Sequence, residues 1–344
     1  MNLREVHSKV ARLADLTRTN DVVVAVDEDD CAFVSFGNSE LAITTDFINS
    51  SPAVLEVGAG TWGDLGQLAV CHNLADLAGS GCIPLFFLTG ICAPHGTSEA
   101  DILEFTSGVC AACKRYGCAL IGGDTKFGPT RSIFGTAVGK PMSPFGPFVR
   151  SKAEPGFSVV VSGPVGSFCA SVLALHHGKQ LFTNEELDEA RRLLRRDYVP
   201  FDVAGNIAKS GRPCAGTDIS DGLGTDLADI CASSSVAVML DVDAIPVDDF
   251  ARTVAGKLSL APWTLSFATG GDFACLFAVE QETAFSLRGT DARVIGEFND
   301  GPPCVRSRVT GRELPLLGHQ ADRRISFGEE ILNNAKRLQE QHVH

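Results

Sequence analysis

This sequence has no apolar run suited to a membrane. The longest, around Ile83 to Ile91, is broken by Pro84 and Gly90, short of the roughly 20 residues a spanning helix needs. Its opening, MNLREVHSKVARLADLTRTN, is charged and helix-like and has no apolar core of a secretory leader, so a cytoplasmic location is expected. Basic residues are also scarce. With 29 Lys and Arg against 42 Asp and Glu the formal net charge is −13, and long-range attraction to nucleic acid or an anionic membrane is disfavoured. The phosphate-cradling pattern GxxxxGK[ST] is missing, which argues against a P-loop kinase. The GxGxxG at Gly58 to Gly63 has no acidic residue about 20 positions on, where IPLFFLTG stands, and this argues against a dinucleotide-binding Rossmann unit.

The cysteines lack metal-site spacing. Twelve are present, but Cys71, Cys82, Cys92, Cys169, Cys231 and Cys275 sit in apolar stretches, where the thiol acts as a small hydrophobe in a reducing compartment. Cys110, Cys113 and Cys118 form a CxxCx4C group without the second ligand pair that a structural zinc site needs. They read as the small-residue face of a packed helix.

What is present is ordinary globular composition, 44% hydrophobic and 21% charged, over 344 residues. That length predicts two domains of roughly 150 residues each. A first helix, with Leu3, Val6, Val10 and Leu13 at helical spacing, is followed by the short strands VVVAVD, CAFVSF and LAITTD. A helix from Gly63 to Gly81, a strand at IPLFFLTGI, a helix over 98–116 and strands at ALIGG and SIFGTAVG complete the first half. The proline-rich stretch KPMSPFGPFVRSKAEPG marks the connection, which puts an N-terminal domain at 1–145 and a C-terminal domain at 146–326. In the second half the strand FSVVVSG, helices over 165–177, 184–196 and 201–210, the strand CAGTD, a helix opening at SDGLGTDLADICAS and the strands VAVMLDV, ACLFAV and ARVIGEF alternate. A helical tail occupies 327–344.

Aspartates gather where these elements begin and end. Glu28-Asp29-Asp30 lies between two strands, Thr44-Thr45-Asp46 ends a strand, Asn73 and Asp76 share a helix, Gly122-Gly123-Asp124-Thr125 ends a strand, and Asp218-Ile219-Ser220-Asp221-Gly222 opens a helix. Taken singly, each has a structural explanation as a cap, a turn or a solvated loop. If they converge, two carboxylates about 4 Å apart repel by about 4 kcal/mol at an effective dielectric near 20. A cation would relieve that repulsion, and Mg²⁺ is the expected one, since it takes one or two carboxylates together with water and phosphate oxygens.

Taken together, DEDDCAFV, LAITTDF, LAVCHNLADLAGSGCIPL, LIGGDTKFGP, FVRSKAEPG, GTDISDGLGTDLADI and TGGDFACLFAV resemble, in order and spacing, the thiamine-monophosphate kinases. These belong to a superfamily with aminoimidazole ribonucleotide synthetase, selenophosphate synthetase and the hydrogenase-maturation dehydratase. The resemblance runs from about residue 20 to 300 and implies a two-domain α/β (α+β) fold, with an N-terminal mixed sheet that pairs in a homodimer and a C-terminal layered α/β domain. It further implies ATP held with Mg²⁺ across the subunit contact and phosphoryl transfer to a small-molecule acceptor, best read as thiamine monophosphate, with no nucleic-acid or membrane partner. Carried over motif by motif, Asp30, Thr45, Asp46, Asp76, Asp124 and Asp221 are implied metal ligands, with Asp46, Asp124 and Asp221 central to catalysis. Asn73, Gly122, Gly123, Thr125, Arg150 and Ser220 are implied nucleotide neighbours.

The chain departs from these kinases in three places. It has Glu28 where they have Gly before Asp-Asp, it lacks a Val-His-Phe segment after Asp46, and Gly270-Gly271-Asp272-Phe273 stands for Gly-Gly-Glu-Asp-Tyr. The stretch after Asp46 is similar to the hydrogenase-maturation dehydratase, an alternative whose C-terminal cysteine is missing from the tail RLQEQHVH. A catalytically inactive nucleotide-binding relative is the remaining alternative.

Overall fold

A computed structural model describes residues 3–343, apart from 26, 49–51, 213 and 317–325. In chain order the first half contains α1 (Leu3–Ala14), β1 (Val22–Val24), β2 (Ala32–Phe36), β3 (Ser39–Ile48), α2 (Ala53–Glu56), α3 (Trp62–Gly79), β4 (Cys82–Pro94), α4 (Glu99–Arg115), β5 (Ala119–Gly128) and β6 (Ser132–Pro141). The second contains β7 (Ser158–Val161), α5 (Ser167–His177), α6 (Asn184–Leu194), α7 (Phe201–Lys209), β8 (Ala215–Asp218), α8 (Leu223–Ser234), β9 (Ala237–Leu240), α9 (Asp249–Lys257), α10 (Thr264–Ala268), β10 (Cys275–Val279), α11 (Gln281–Ser286), β11 (Arg293–Asn299), β12 (Cys304–Ser307) and α12 (Phe327–Val343). The strands form two six-stranded sheets, ordered β1-β2-β3-β6-β4-β5 and β12-β9-β11-β7-β10-β8. Each is mixed, with one parallel pair, β4–β5 in the first and β9–β12 in the second.

Helix starts follow local chemistry. The Thr61 hydroxyl accepts from the Asp64 N–H while the Asp64 carboxylate accepts from the Thr61 N–H, so α3 opens on a capping box. Ser98 with Asp101 and Thr183 with Glu186 do the same for α4 and α6. Helix α3 is apolar nearly all round, as suits a helix enclosed by other elements. It packs on α4, on β3, β4 and β6 of the first sheet, and on β8 and β10 of the second. Glycines allow these approaches. A Cβ added at Gly66 would lie 2.1 Å from the Phe105 carbonyl oxygen of α4, and one at Gly216 of β8 would lie 2.1 Å from the Gly79 carbonyl oxygen. The end of α3 therefore touches the strand that carries Asp218.

Polar links also join the halves. The Tyr116 hydroxyl donates to the Asp197 carbonyl and Arg115 pairs with the Asp197 carboxylate, tying α4 to the segment between α6 and α7. The Arg150 N–H donates to Asp29 at 2.8 Å, and the Thr217 hydroxyl donates to Asp30 at 2.6 Å.

In two places the elements differ from the sequence expectation. Gly122-Gly123-Asp124-Thr125 does not end a strand but lies inside β5, which runs to Gly128. The paired glycines serve close approach rather than a turn, since a Cβ at Gly123 would lie 2.1 Å from the Thr89 carbonyl oxygen on β4. Likewise β3 continues past Asp46 to Ile48. Helices α9 and α10 and strand β12 had no clear sequence signal.

Candidate active site

The site is built where α3, β3 and β8 meet. Strand residues alternate faces, so Thr44 and Asp46 turn toward α3 while Thr45 turns away. The Thr44 hydroxyl donates to the Asp76 carboxylate at 2.5 Å, and the Asp46 N–H donates to the Asn73 side-chain oxygen at 3.0 Å. Asn73 is itself held by its amide donating to the Ala69 carbonyl at 2.9 Å. One Asp46 oxygen accepts from the Phe47 N–H at 2.9 Å, and the other lies 3.4 Å from His72 Nδ1.

From the second sheet, Asp218 at the end of β8 faces the same space. Burial pushes its carboxyl up to about 7, with the Asp46 charge adding to the rise and Arg150 and His72 opposing it. Burial also raises Asp76 well above the usual carboxylate range, and the charges of Asp218, Asp46 and Asp29 add to the effect. Asp29 is pushed up to about 6 by burial, against the Arg150 N–H and guanidinium. For Asp46 burial acts in the same direction, but the His72 and Phe47 contacts prevail and its carboxyl is lowered. Beneath the loop after β8, buried Asp226 accepts from the Gly222 N–H at 3.0 Å and the Asp221 N–H at 3.3 Å. Gly222, at φ +114, sits where a Cβ would lie 2.5 Å from the Phe267 carbonyl oxygen.

This donor set fits a hard divalent cation. All its ligating atoms are oxygens, and beyond burial the Asp46 charge adds to the rise at Asp218 and at Asp76. Among the described residues no group of three or more acidic, histidine or cysteine side chains lies close enough together to hold a metal ion unaided. Mg²⁺ needs no such group, since water and substrate phosphates complete its octahedron.

The structure divides the residues expected from sequence. It brings Asp30, Asp46, Asn73, Asp76, Arg150, Ser220 and Asp221 to the helix-covered side, where the two sheets meet. Asp221 and Ser220 stand exposed on the loop after β8, and Arg150 is ion-paired with Asp30. The others lie elsewhere. Thr45 hydrogen-bonds Thr136 at 2.9 Å on the opposite face of the first sheet. The register Phe47–Phe134–Gly90–Asp124 puts Asp124 on that open face as well, three strands from β3, with Gly122 in the neighbouring row beside Leu88. Asp124 lies 3.5 Å from Lys126, and Gly123 and Thr125 are exposed on the same edge strand. Sequence reasoning gave no site role to Asp29, Thr44, Asp218 or Asp226, although the first three lie in the aspartate motifs, and it took His72 for a packed or hydrogen-bonded histidine. Asp218 stood within a quoted motif, but its burial depends on the contact of α3 with β8.

Residues 28–140 match the family model of the AIR synthase related protein N-terminal domain, and residues 154–306 match that of the C-terminal domain. Thiamine-monophosphate kinase of Salmonella typhimurium is 30% identical over 307 residues, covering 85% of this chain and 90% of its own. The chain belongs to the thiamine-monophosphate kinase family. The Methanopyrus kandleri kinase is 32% identical over 238 residues, 69% of this chain and 73% of that one. A solved structure described as AaThiL complexed with AMPPCP and TMP shares the fold at TM-score 0.75 and 23% identity, covering 93% of this chain and 99% of that one. No helix among the described residues is long and apolar enough to cross a membrane.

Proposed function

We propose that this chain phosphorylates thiamine monophosphate to thiamine diphosphate, using ATP and Mg²⁺. The observation that carries the reading is the acidic cluster of Asp46, Asp76 and Asp218 at the join of two sheets, in a chain whose relatives of near-equal length are thiamine-monophosphate kinases. Asp46, Asp76, Asp218 and Asp221 are the residues that would hold Mg²⁺, with Asp29 and Asp30 at the rim. When bound, Mg²⁺ neutralises phosphate charge and so favours transfer.

The chain's own part is alignment. An oxygen of the acceptor phosphate attacks the ATP γ-phosphorus, and ADP leaves. Arg150 and the loop Ser220–Asp221 sit where they can orient phosphate oxygens, and no covalent enzyme intermediate is required.

A homodimer belongs to the same proposal. The open face of the first sheet exposes Phe47, Phe86, Leu88 and Phe134, with Phe47 57% exposed. An apolar patch of this kind marks an association surface. Asp124, Gly122 and Thr45 lie on that face, so a second copy seated there would enclose them at the subunit contact. A cytoplasmic location fits the free thiols of all twelve cysteines.

The test is phosphorus NMR of ATP with thiamine monophosphate, Mg²⁺ and the purified chain. Thiamine diphosphate and ADP should appear together. ATP loss only with another acceptor would reassign the substrate, and no ATP loss with any acceptor would point to an inactive relative.

A further inference from the structure

The loop Gly270–Phe273 supplies no carboxylate to the cluster, yet its geometry ends on it. Asp272 accepts from the Gly166 N–H at 2.6 Å, the Ser167 hydroxyl at 2.6 Å and the Phe168 N–H at 2.7 Å, so its carboxylate is pinned at the N-terminus of α5. Gly270 and Gly271 are clamped between neighbours. A Cβ at Gly270 would lie 2.2 Å from the Ile219 carbonyl oxygen, and one at Gly271 would lie 2.7 Å from the Phe168 ring. With both sides held, Phe273 is driven to φ +55, a left-handed conformation that a bulky residue rarely adopts. Its buried ring meets the His72 imidazole edge to face, with centroids 5.1 Å apart and planes at 86°. His72 is otherwise half-exposed, and its Nδ1 faces the Asp46 oxygen that the Phe47 N–H does not take.

We propose that Phe273 is a positioning residue: its ring fixes His72, and His72 fixes the orientation of the Asp46 carboxylate. The loop in which this chain departs from the kinase pattern is thereby coupled to the nucleotide site. The inference rests on the proposed function only in taking Asp46 to face a Mg²⁺-bound nucleotide.

A double-mutant cycle tests it, read by calorimetric binding of AMPPCP with Mg²⁺ to the full chain, with no turnover needed. Phe273→Leu should weaken Mg²⁺-dependent binding about fivefold, as should His72→Ala, and the double variant should bind no worse than His72→Ala. Phe273→Tyr keeps the ring and should restore wild-type binding. The ¹⁵N NMR signals of the His72 ring should report one fixed tautomer in the wild type and an averaged ring in Phe273→Leu. Should Phe273→Leu fail to fold, Phe273→Met, which fills space without a ring, is read in the same way. Unchanged binding in a folded ring-less variant, or losses that add in the double variant, would overturn the relay. A wild type that binds no AMPPCP with Mg²⁺ would instead bring down the proposed function, and the relay with it.

Discussion

At Asp218 a carboxylate is held in a place that disfavours its charge. Its folded-state value, about 7, lies above the usual carboxylate value, mainly through burial. A raised acid binds its proton more tightly when folded, so the stability it contributes is full below about pH 4 and is lost as pH rises through about 7. In chelator-treated protein, Asp218→Asn should therefore match wild type near pH 4 and exceed it by on the order of 4 kcal/mol near pH 7.5. Urea unfolding at the two pH values measures this, and an advantage that does not grow with pH would contradict the buried charge. The same neutralisation removes a candidate Mg²⁺ ligand. Asp218→Asn and Asp46→Asn should each lower kcat/KM by about a hundredfold or more, measured by ADP release at saturating Mg²⁺, while the protein stays folded. Sequence shows Asp46 and Asp76 as members of motifs, but it cannot show that Thr44 rather than Thr45 turns toward Asp76 until the strand's facing is known.

Among the elements, α3 has the most neighbours, and its glycines set how near they come. Gly66 has no room for a methyl beside the Phe105 carbonyl oxygen. Gly66→Ala should cost about 1–3 kcal/mol by forcing α3 and α4 apart, seen as a lowered thermal midpoint, with nucleotide binding weakened because Asn73 and Asp76 move with the helix. Most helices were legible because their signals are local. Thr61 with Asp64, Ser98 with Asp101 and Thr183 with Glu186 are caps separated by three residues, and the apolar periodicity follows them. Strand β5 was read too short because Gly122-Gly123 carries the same letters in a turn as in a close strand approach. The carbonyl of Thr89, far away in sequence, decides which applies.

For the whole molecule, the open face of the first sheet and the carboxylate cluster lie on opposite sides of one layer. Phe47→Glu with Phe134→Glu should convert a dimer to a monomer by light scattering, since like charges would meet across an apolar contact. A dimer that persists would refute this face as the subunit contact. Chelation offers a further check: with EDTA, calorimetric AMPPCP binding should be lost, since the phosphates would face uncompensated carboxylates.

The sequence alone determined the order of most helices and strands, the two-part organisation and the acidic character of the site. Each of these follows from periodicity, capping and charge within a few neighbouring residues. Only the tertiary structure decided which aspartates meet. Asp76 and Asp218 are 142 positions apart, yet they share one buried space because Gly79 and Gly216 let a helix end touch a strand of the other sheet. Proton affinity and ring contacts such as that of Phe273 with His72 depend on distance and burial in space, which residue order does not encode locally.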